Sequence, residues 1–227
     1  MKLQDNKYLE RICDNVYLIS TPNKGQFPYC YSFLIAGNEN ILIDAGTDKD
    51  ILRAIDHDTG IDVLVISHSH PDHIRSWDAL SHRKLYLPAE TPDTVYDLEK
   101  LGERYMGTRE KGIHWVNTIA RQLDIIPFRE PDARFSHGTV FENGQTRIEA
   151  IYSPGHLDDH YCFFEHRSGT LITTDIDFTS FGPWYGNPES KIHLFIEGIR
   201  NIMILPYKRV CTSHKAPREG DATEDFN

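Results

Sequence analysis

Short apolar runs separated by turn residues fill the first third of the chain. VYLI (16–19), YSFLIAG (31–37) and NILIDAG (40–46) are rich in β-branched and aromatic residues, and Pro22, Gly25 and Asn38 interrupt them. That pattern predicts strands. Between Asp48 and Ile55 the apolar positions return at helical spacing. VLVIS (63–67) is continuously apolar up to its serine, as a strand buried on both faces would be. Pro71 closes that strand, IRSWDAL opens a helix, and KLYLPA (84–89) reads as a further strand. Residues 91–125 read as two helices, with Thr91 capping ahead of Pro92 and a break near Gly107 or Gly112. TRIEAIYS (146–153), HYCFFEH (160–166) and GTLITTDID (169–177) are strands, with a tight turn at Ser168 and Gly169. Residues 188–203 suggest a helix, RVCTSH (209–214) a last strand, and a polar tail begins at about residue 215. Strands in both halves with helices between them predict two sheets sandwiched by helices.

Composition narrows the class. A chain of 227 residues suits one sizeable domain. Its net charge of −10 argues against a nucleic-acid partner, because phosphate-backbone binders carry a basic face. No apolar stretch approaches the roughly 20 residues of a membrane span. The opening MKLQDNKYLE has no apolar core of a secretory signal. Cys13, Cys30, Cys162 and Cys211 are scattered without a C-x-x-C pair. Free thiols in a reducing cytoplasm are the expectation.

The candidate chemistry lies in HSHPDH (68–73). On extended backbone alternate side chains point the same way, so His68 and His70 can grip one metal ion. Asp72 and His73 follow the bend at Pro71 and can aim at a second ion. A loop alone supplies too few ligands, and strand ends further on supply the rest: His156 in SPGH, Asp175 in TTDID and His214 in TSH. A solvated histidine-rich loop is the bland alternative, and it leaves this strand-end placement unexplained.

H-x-H-x-D-H, S-P-G-H, T-D-x-x-F and S-H, in this order, resemble the metallo-β-lactamase fold hydrolases. The resemblance runs along almost the whole chain. It implies a single domain over 1–227, an αββα sandwich of two mixed β-sheets flanked by helices, with 91–125 as a helical insertion. It implies that His68, His70 and His156 bind one metal, that Asp72, His73 and His214 bind a second, and that Asp175 bridges them. Asp44 in LIDAG and His160 would stand behind these ligands as support. Two divalent ions are expected. Zinc suits five imidazoles and two carboxylates, and iron and manganese accept the same donors.

The implied activity is hydrolysis of a small ester, lactone or thioester by a metal-bound hydroxide, with Asp72 orienting the water. Two rivals are a mononuclear iron dioxygenase of the persulfide-dioxygenase type and a non-catalytic metal-binding or sensing module. Departures from subfamilies sharpen the reading. Quorum-lactone hydrolases carry tyrosine where this chain has Phe178. Glyoxalase-II-type thioesterases share aspartate-x-x-Phe but add a helical domain, whereas only some 13 residues follow His214 here. Iron-and-flavin members replace the second histidine of the motif with glutamate, and here it is His70. GHLDDH also departs from the common GH-x-x-GH form, with Asp158 and Asp159 before His160. An aromatic wall from Phe178, Phe181, Trp184 and Tyr185, with Phe27 and Tyr29 in the overhanging loop, is the expected substrate pocket. The insertion either caps that pocket or makes a homodimer contact. A small molecule is the expected partner, with no nucleic acid and no membrane.

Overall fold

The structure is a computed structural model that describes residues 3–177 and 183–220. Strands β1 (Leu9–Arg11), β2 (Val16–Ile19), β3 (Ser32–Ile35) and β4 (Ile41–Ile43) form an antiparallel meander. Helix α1 (Lys49–Thr59) crosses over to β5 (Val63–Val65), which pairs parallel with β4. The Asp48 carboxylate caps α1 by accepting from the Asp50 N–H. A four-residue helix α2 (Pro71–Ile74) starts within HSHPDH and carries its Asp72 and His73, and β6 (Lys84–Pro88) and β7 (Ala133–Phe135) complete seven strands in sequence order.

Helices α3 (Leu98–Met106) and α4 (Arg109–Trp115) lie between β6 and β7. The second sheet contains β8 (Val140–Glu142), β9 (Arg147–Tyr152), β10 (Tyr161–Glu165), β11 (Thr170–Thr174), β12 (Arg209–Thr212) and β13 (Arg218–Glu219). Its spatial order is β13-β12-β11-β10-β9-β8. Helix α5 (Ile192–Met203) links β11 to β12, which pair in parallel.

The central strands of both sheets are buried on two faces, which is why they read as unbroken apolar runs. Phe33, Ile35, Ile43 and Val65 point into the layer between the sheets and meet Phe163, Ile172 and Cys211 there. Leu34, Leu42 and Leu64 point the other way, under α1, Trp77, Leu101 and Trp115. On the far side Cys162, Phe164 and Val210 pack beneath Phe195 and Ile202 of α5. Each such buried side chain contributes about 1.5–3 kcal/mol of transfer free energy. The chain therefore forms the expected α/β sandwich of two mixed sheets flanked by helices.

Several local expectations shift. The helix after HSHPDH begins at Pro71 itself, because proline at the first helical position loses no hydrogen bond there. Thr91 caps nothing: its hydroxyl donates to the Asp159 carboxylate at 3.1 Å, and Asp97 caps α3 instead. The break between α3 and α4 falls at Gly107, whose φ of +75° is the left-handed geometry glycine tolerates. Gly112 stays helical, since its bare α-carbon lets α4 approach Gly102 and Glu103 of α3 closely. Beyond His214 the polar segment adds β13, paired antiparallel to Arg209 and Val210.

Candidate metal centre

Strand direction gathers the candidate ligands. Strands β9 and β11 both pair antiparallel with β10, so they run the same way, and β12 runs parallel to β11. Their C-terminal ends therefore emerge together and deliver His156, Asp175 and His214 to one edge. Strands β4 and β5, parallel in the other sheet, deliver Asp44 and the HSHPDH loop to that edge. Two backbone bonds tie the sheets there: Tyr161 N–H donates to Ser67 O at 3.1 Å, and Tyr31 N–H to Ser213 O at 2.8 Å.

Two residues beside the candidate ligands hold conformations that side chains other than glycine rarely adopt. Asp44 has φ +65° and Thr174 has φ +49°. A β-branched residue there costs of order 1–3 kcal/mol unless its surroundings enforce it. Here they do: Thr174 Oγ1 donates to Tyr161 O at 3.0 Å and meets His160 Nε2 at 2.7 Å, while Ser213 N–H donates to Thr174 O at 2.9 Å. The turn swings Asp175 off the strand and into the site.

Two donor groups result, sharing one carboxylate. In the first, His68 Nε2 and His156 Nε2 lie 3.1 and 2.8 Å from His70 Nδ1. Asp175 Oδ2 stands 3.1 Å from His156, 3.6 Å from His68 and 3.9 Å from His70. In the second, Asp175 Oδ1 lies 2.9 Å from His73 Nε2 and 3.4 Å from His214 Nε2, and Asp72 Oδ2 lies 3.3 Å from His214 Nε2. Among the described residues the first group, with Asp175, and Asp72, His73 and His214 of the second are two of three clusters whose ligand atoms all fall within 4.8 Å of one another. The third, Cys30 with Asp44 and His73, lies directly behind the second.

The residues fit divalent metal ions. His73 Nε2 and Asp175 Oδ1 are buried and have no hydrogen-bond partner. Such orphaned atoms call for a cation between them. In the first group three ring nitrogens converge, and neutral imidazoles have too few protons to bridge every pair. Separations of 2.8 to 3.9 Å bracket the roughly 3.3–3.4 Å edge of a tetrahedron with bonds of about 2.0–2.1 Å.

Each imidazole is held from behind. His73 Nδ1 donates to Asp44 Oδ2 at 2.7 Å, which leaves Nε2 free to face Asp175. Asp44 also accepts from the Ser67 N–H and hydroxyl, both at 2.7 Å. It thereby ties His73 to the turn at Ser67. His156 Nδ1 donates to Trp184 O, and His214 Nδ1 to Gly25 O, each at 2.6 Å. Gly25 must be glycine: φ is +74°, and a Cβ would come within 2.9 Å of the Tyr31 ring. His160 joins neither group. Its Nδ1 donates to Ser153 O at 2.8 Å and its Nε2 meets Thr174.

Electrostatics sorts the histidines. Burial, with His156 beside it, lowers His70 to about 4. Burial and the same neighbour lower His160 to about 3. Burial works against charge on His214 too, but Asp175 and Asp72 prevail and raise it to about 9. Burial likewise opposes charge on Asp175. His73, His214 and His68 overcome that and hold its carboxyl well below the carboxylate range. The site thus holds an anionic carboxylate inside a ring of imidazoles.

Above it opens a cavity of about 580 Å³, lined by His70, Asp72, Asp175 and His214 together with Phe27, Tyr105, Met106, Trp115 and Trp184. The insertion caps this cavity. Of the expected pocket residues, Phe27 and Trp184 line it, and Phe178 and Phe181 lie outside the described residues. Tyr29 does not line it, because its ring lies under the Arg75 guanidinium, 3.9 Å from the centroid. Tyr185 is 53% exposed and also falls outside the lining.

Sequence reasoning missed two residues that touch the ligand loops. Asn187 Nδ2 lies 2.7 Å from His70 Nε2. Arg104 of α3 reaches Ser69 Oγ and Glu189 Oε1 at 2.5 Å each and Asp159 Oδ1 at 3.4 Å. A signal for Arg104 existed in GHLDDH: a carboxylate wedged beside a buried histidine requires a cation, and a long helical insertion is where one could come from.

Comparison with known proteins agrees with this geometry. The family model described as the metallo-beta-lactamase superfamily matches residues 25–214. An uncharacterized protein of Aquifex aeolicus (strain VF5) is 28% identical over 151 residues, spanning 64% of this chain and 64% of that relative, just under two thirds of its length. Among solved structures, a metallo-beta-lactamase family protein from Thermus thermophilus superposes with a TM-score of 0.73 at 17% identity, covering 95% of this chain and 78% of its own. A metallo-beta-lactamase from Pontibacter korlensis gives 0.67 at 16%, covering 95% and 93%. A protein crystallised in a di-iron-bound form gives 0.65 at 19%, covering 84% and 89%. With the family model spanning the chain from the Gly25 loop to His214, and both donor groups inside that span, this protein belongs to the metallo-beta-lactamase superfamily.

Proposed function

We propose that the chain is a dinuclear metal-dependent hydrolase of a small ester, lactone or thioester. The observation that carries the reading is the shared carboxylate: Asp175 turns one oxygen toward His68, His70 and His156 and the other toward His73 and His214. In this reading His68, His70 and His156 hold one ion, Asp72, His73 and His214 hold the other, and Asp175 bridges them. Divalent ions bound there would acidify a water toward neutral pH and polarise the carbonyl under attack. Asp72 lines the cavity at 5% exposure, and we assign it to orient the attacking water and accept its proton. Asp44, Asn187, Gly25 O and Trp184 O keep the imidazoles from turning. The acyl–heteroatom bond then breaks, and the leaving group departs through the cavity mouth.

Zinc is the expected metal on donor chemistry, and the di-iron form of a structural neighbour makes iron the metal to test beside it. No helix among the described residues is long and apolar enough to cross a membrane, and all four cysteines are free thiols. We assign a cytoplasmic location on the free thiols, and a small-molecule substrate on the size of the cavity. The deciding experiment is elemental analysis of protein purified without chelator, followed by an ester, lactone and thioester panel. Two ions per chain with turnover support the reading, while a single iron per chain favours the dioxygenase. His70→Ala and Asp175→Ala should lose both metal and turnover, and full activity in either overturns the assignment.

A further inference from the structure

The cavity over the donor groups is divided by chemistry. Its acidic lining residues, Asp72, Asp175 and Asp177, lie on the loops at the sheet edge and form the floor, while Lys215 is exposed at the opening. Tyr105, Met106 and Trp115 come down from the insertion as a roof, and Phe27 and Trp184 stand at the rim. The polar end of Tyr105 is already used: its hydroxyl donates to Ser69 O, so the ring is what it offers the cavity. Trp115 stacks edge-on against that ring, centroids 5.2 Å apart. Arg104, next to Tyr105, is consumed by Ser69, Asp159 and Glu189 and is 8% exposed. The insertion thus brings no free charge to the space it covers. At the mouth large apolar side chains are left in water: Phe27 at 60%, Trp184 at 57% and, from the insertion itself, Met106 at 38%. An exposed apolar cluster around a concave opening marks a binding surface.

We propose that the roof formed by α3 and α4 is a binding site for a neutral, apolar substituent of the substrate, an alkyl or aryl group carried next to the bond that is cut. The word substrate rests on the hydrolase reading; the site itself does not. An anionic group would find Lys215 exposed at the opening beside His214, and among the described lining residues the insertion offers it no cation. The insertion is accordingly the specificity element. It would grade substrates by apolar size, each methylene that leaves water adding about three- to fourfold in affinity until the cavity is filled.

The test separates site from reaction. Trp115 and Trp184 line the cavity, so tryptophan emission reports its occupancy. The metal-loaded protein is titrated with 1-alkanols from butanol to decanol, and kcat/KM is measured in parallel for p-nitrophenyl esters from acetate to decanoate. Support is an alkanol Kd that falls about three- to fourfold per carbon and then levels off, with a flatter series in Met106→Gln and the slope kept in Met106→Leu. Met106 is partly exposed, so neither variant threatens the core. An alkanol series without chain-length dependence overturns the inference, as does an unchanged slope in Met106→Gln. A steep alkanol series with no turnover of any ester, lactone or thioester in the panel supports the apolar site and overturns the hydrolase reading instead.

Discussion

Replacing Arg104 by Met should cost more than any surface charge in this chain. The side chain is 8% exposed and lies against Asp159, which is 0% exposed, and Glu189, 17% exposed. Burial works against charge on Arg104, but Asp159, Tyr105 and Glu189 keep it protonated. Methionine fills the volume but leaves Asp159 with one side-chain partner, the Thr91 hydroxyl at 3.1 Å. Removing one member of a buried ion pair costs about 3–5 kcal/mol, because a carboxylate stays buried and uncompensated. Against a total stability of about 5–15 kcal/mol that is a large share. At about 2–4 °C per kcal/mol for a chain of this size, the melting temperature should drop by roughly 6–20 °C. Urea titrations of wild type, Arg104→Met, Asp159→Asn and the double variant complete the cycle. The double variant should be more stable than Arg104→Met alone, since it removes the stranded charge. Arg104 also holds Ser69, which lies between His68 and His70, so metal affinity should fall in the same variant. A loss below about 1 kcal/mol, or strictly additive effects, would refute the view that this ion cluster fastens the insertion to the metal loops.

Three further outcomes are expected. Asp44→Asn removes the acceptor that orients His73, and should weaken metal binding about 10–100-fold in a competition titration; unchanged affinity would show that His73 holds its position without it. His160 is lowered to about 3 from an ordinary 6.5, so its neutral form contributes stability that is complete above pH 6.5 and is lost as pH falls toward 3. Urea midpoints of metal-depleted protein at pH 7, 6 and 5 should therefore fall more steeply for wild type than for His160→Gln, by about 1.4 kcal/mol per pH unit below 6.5, whereas parallel profiles would contradict the burial argument. Because ions that bind only the folded chain stabilise it by mass action, dialysis against chelator should lower the melting temperature, and metal at 100 times its Kd should restore about 2.7 kcal/mol; a melt indifferent to chelator would contradict the two-group site.

Much of this was legible from short-range pattern. Continuous apolar runs such as VLVIS identify strands covered on both faces, and that alone points to two sheets with helices outside. HSHPDH declares its chemistry because alternation on extended backbone and the bend at Pro71 are local properties of six residues. His156, Asp175 and His214 are legible by position, each at the end of an apolar run. Short strands such as β7, β8 and β13 escaped, since two or three residues carry too little alternation to stand out from a loop. Tyr29 was misplaced because nothing near it in sequence announces Arg75 as its partner.

What the sequence by itself determined is the set of donors and the strands that present them, because both depend on neighbours a few residues apart. What only the tertiary structure decided is how the shared carboxylate is turned between the two groups and what covers them. Asp175 faces both groups because a strained Thr174 turns it there, and that turn is enforced by Tyr161, His160 and Ser213 from other parts of the chain. Arg104, Asp159 and Glu189 lie 30 or more residues apart in sequence, and each alone reads as a surface charge. Burial changes their meaning: in a medium that solvates ions poorly, charges must find one another, and which ones meet is settled only when the chain closes on itself.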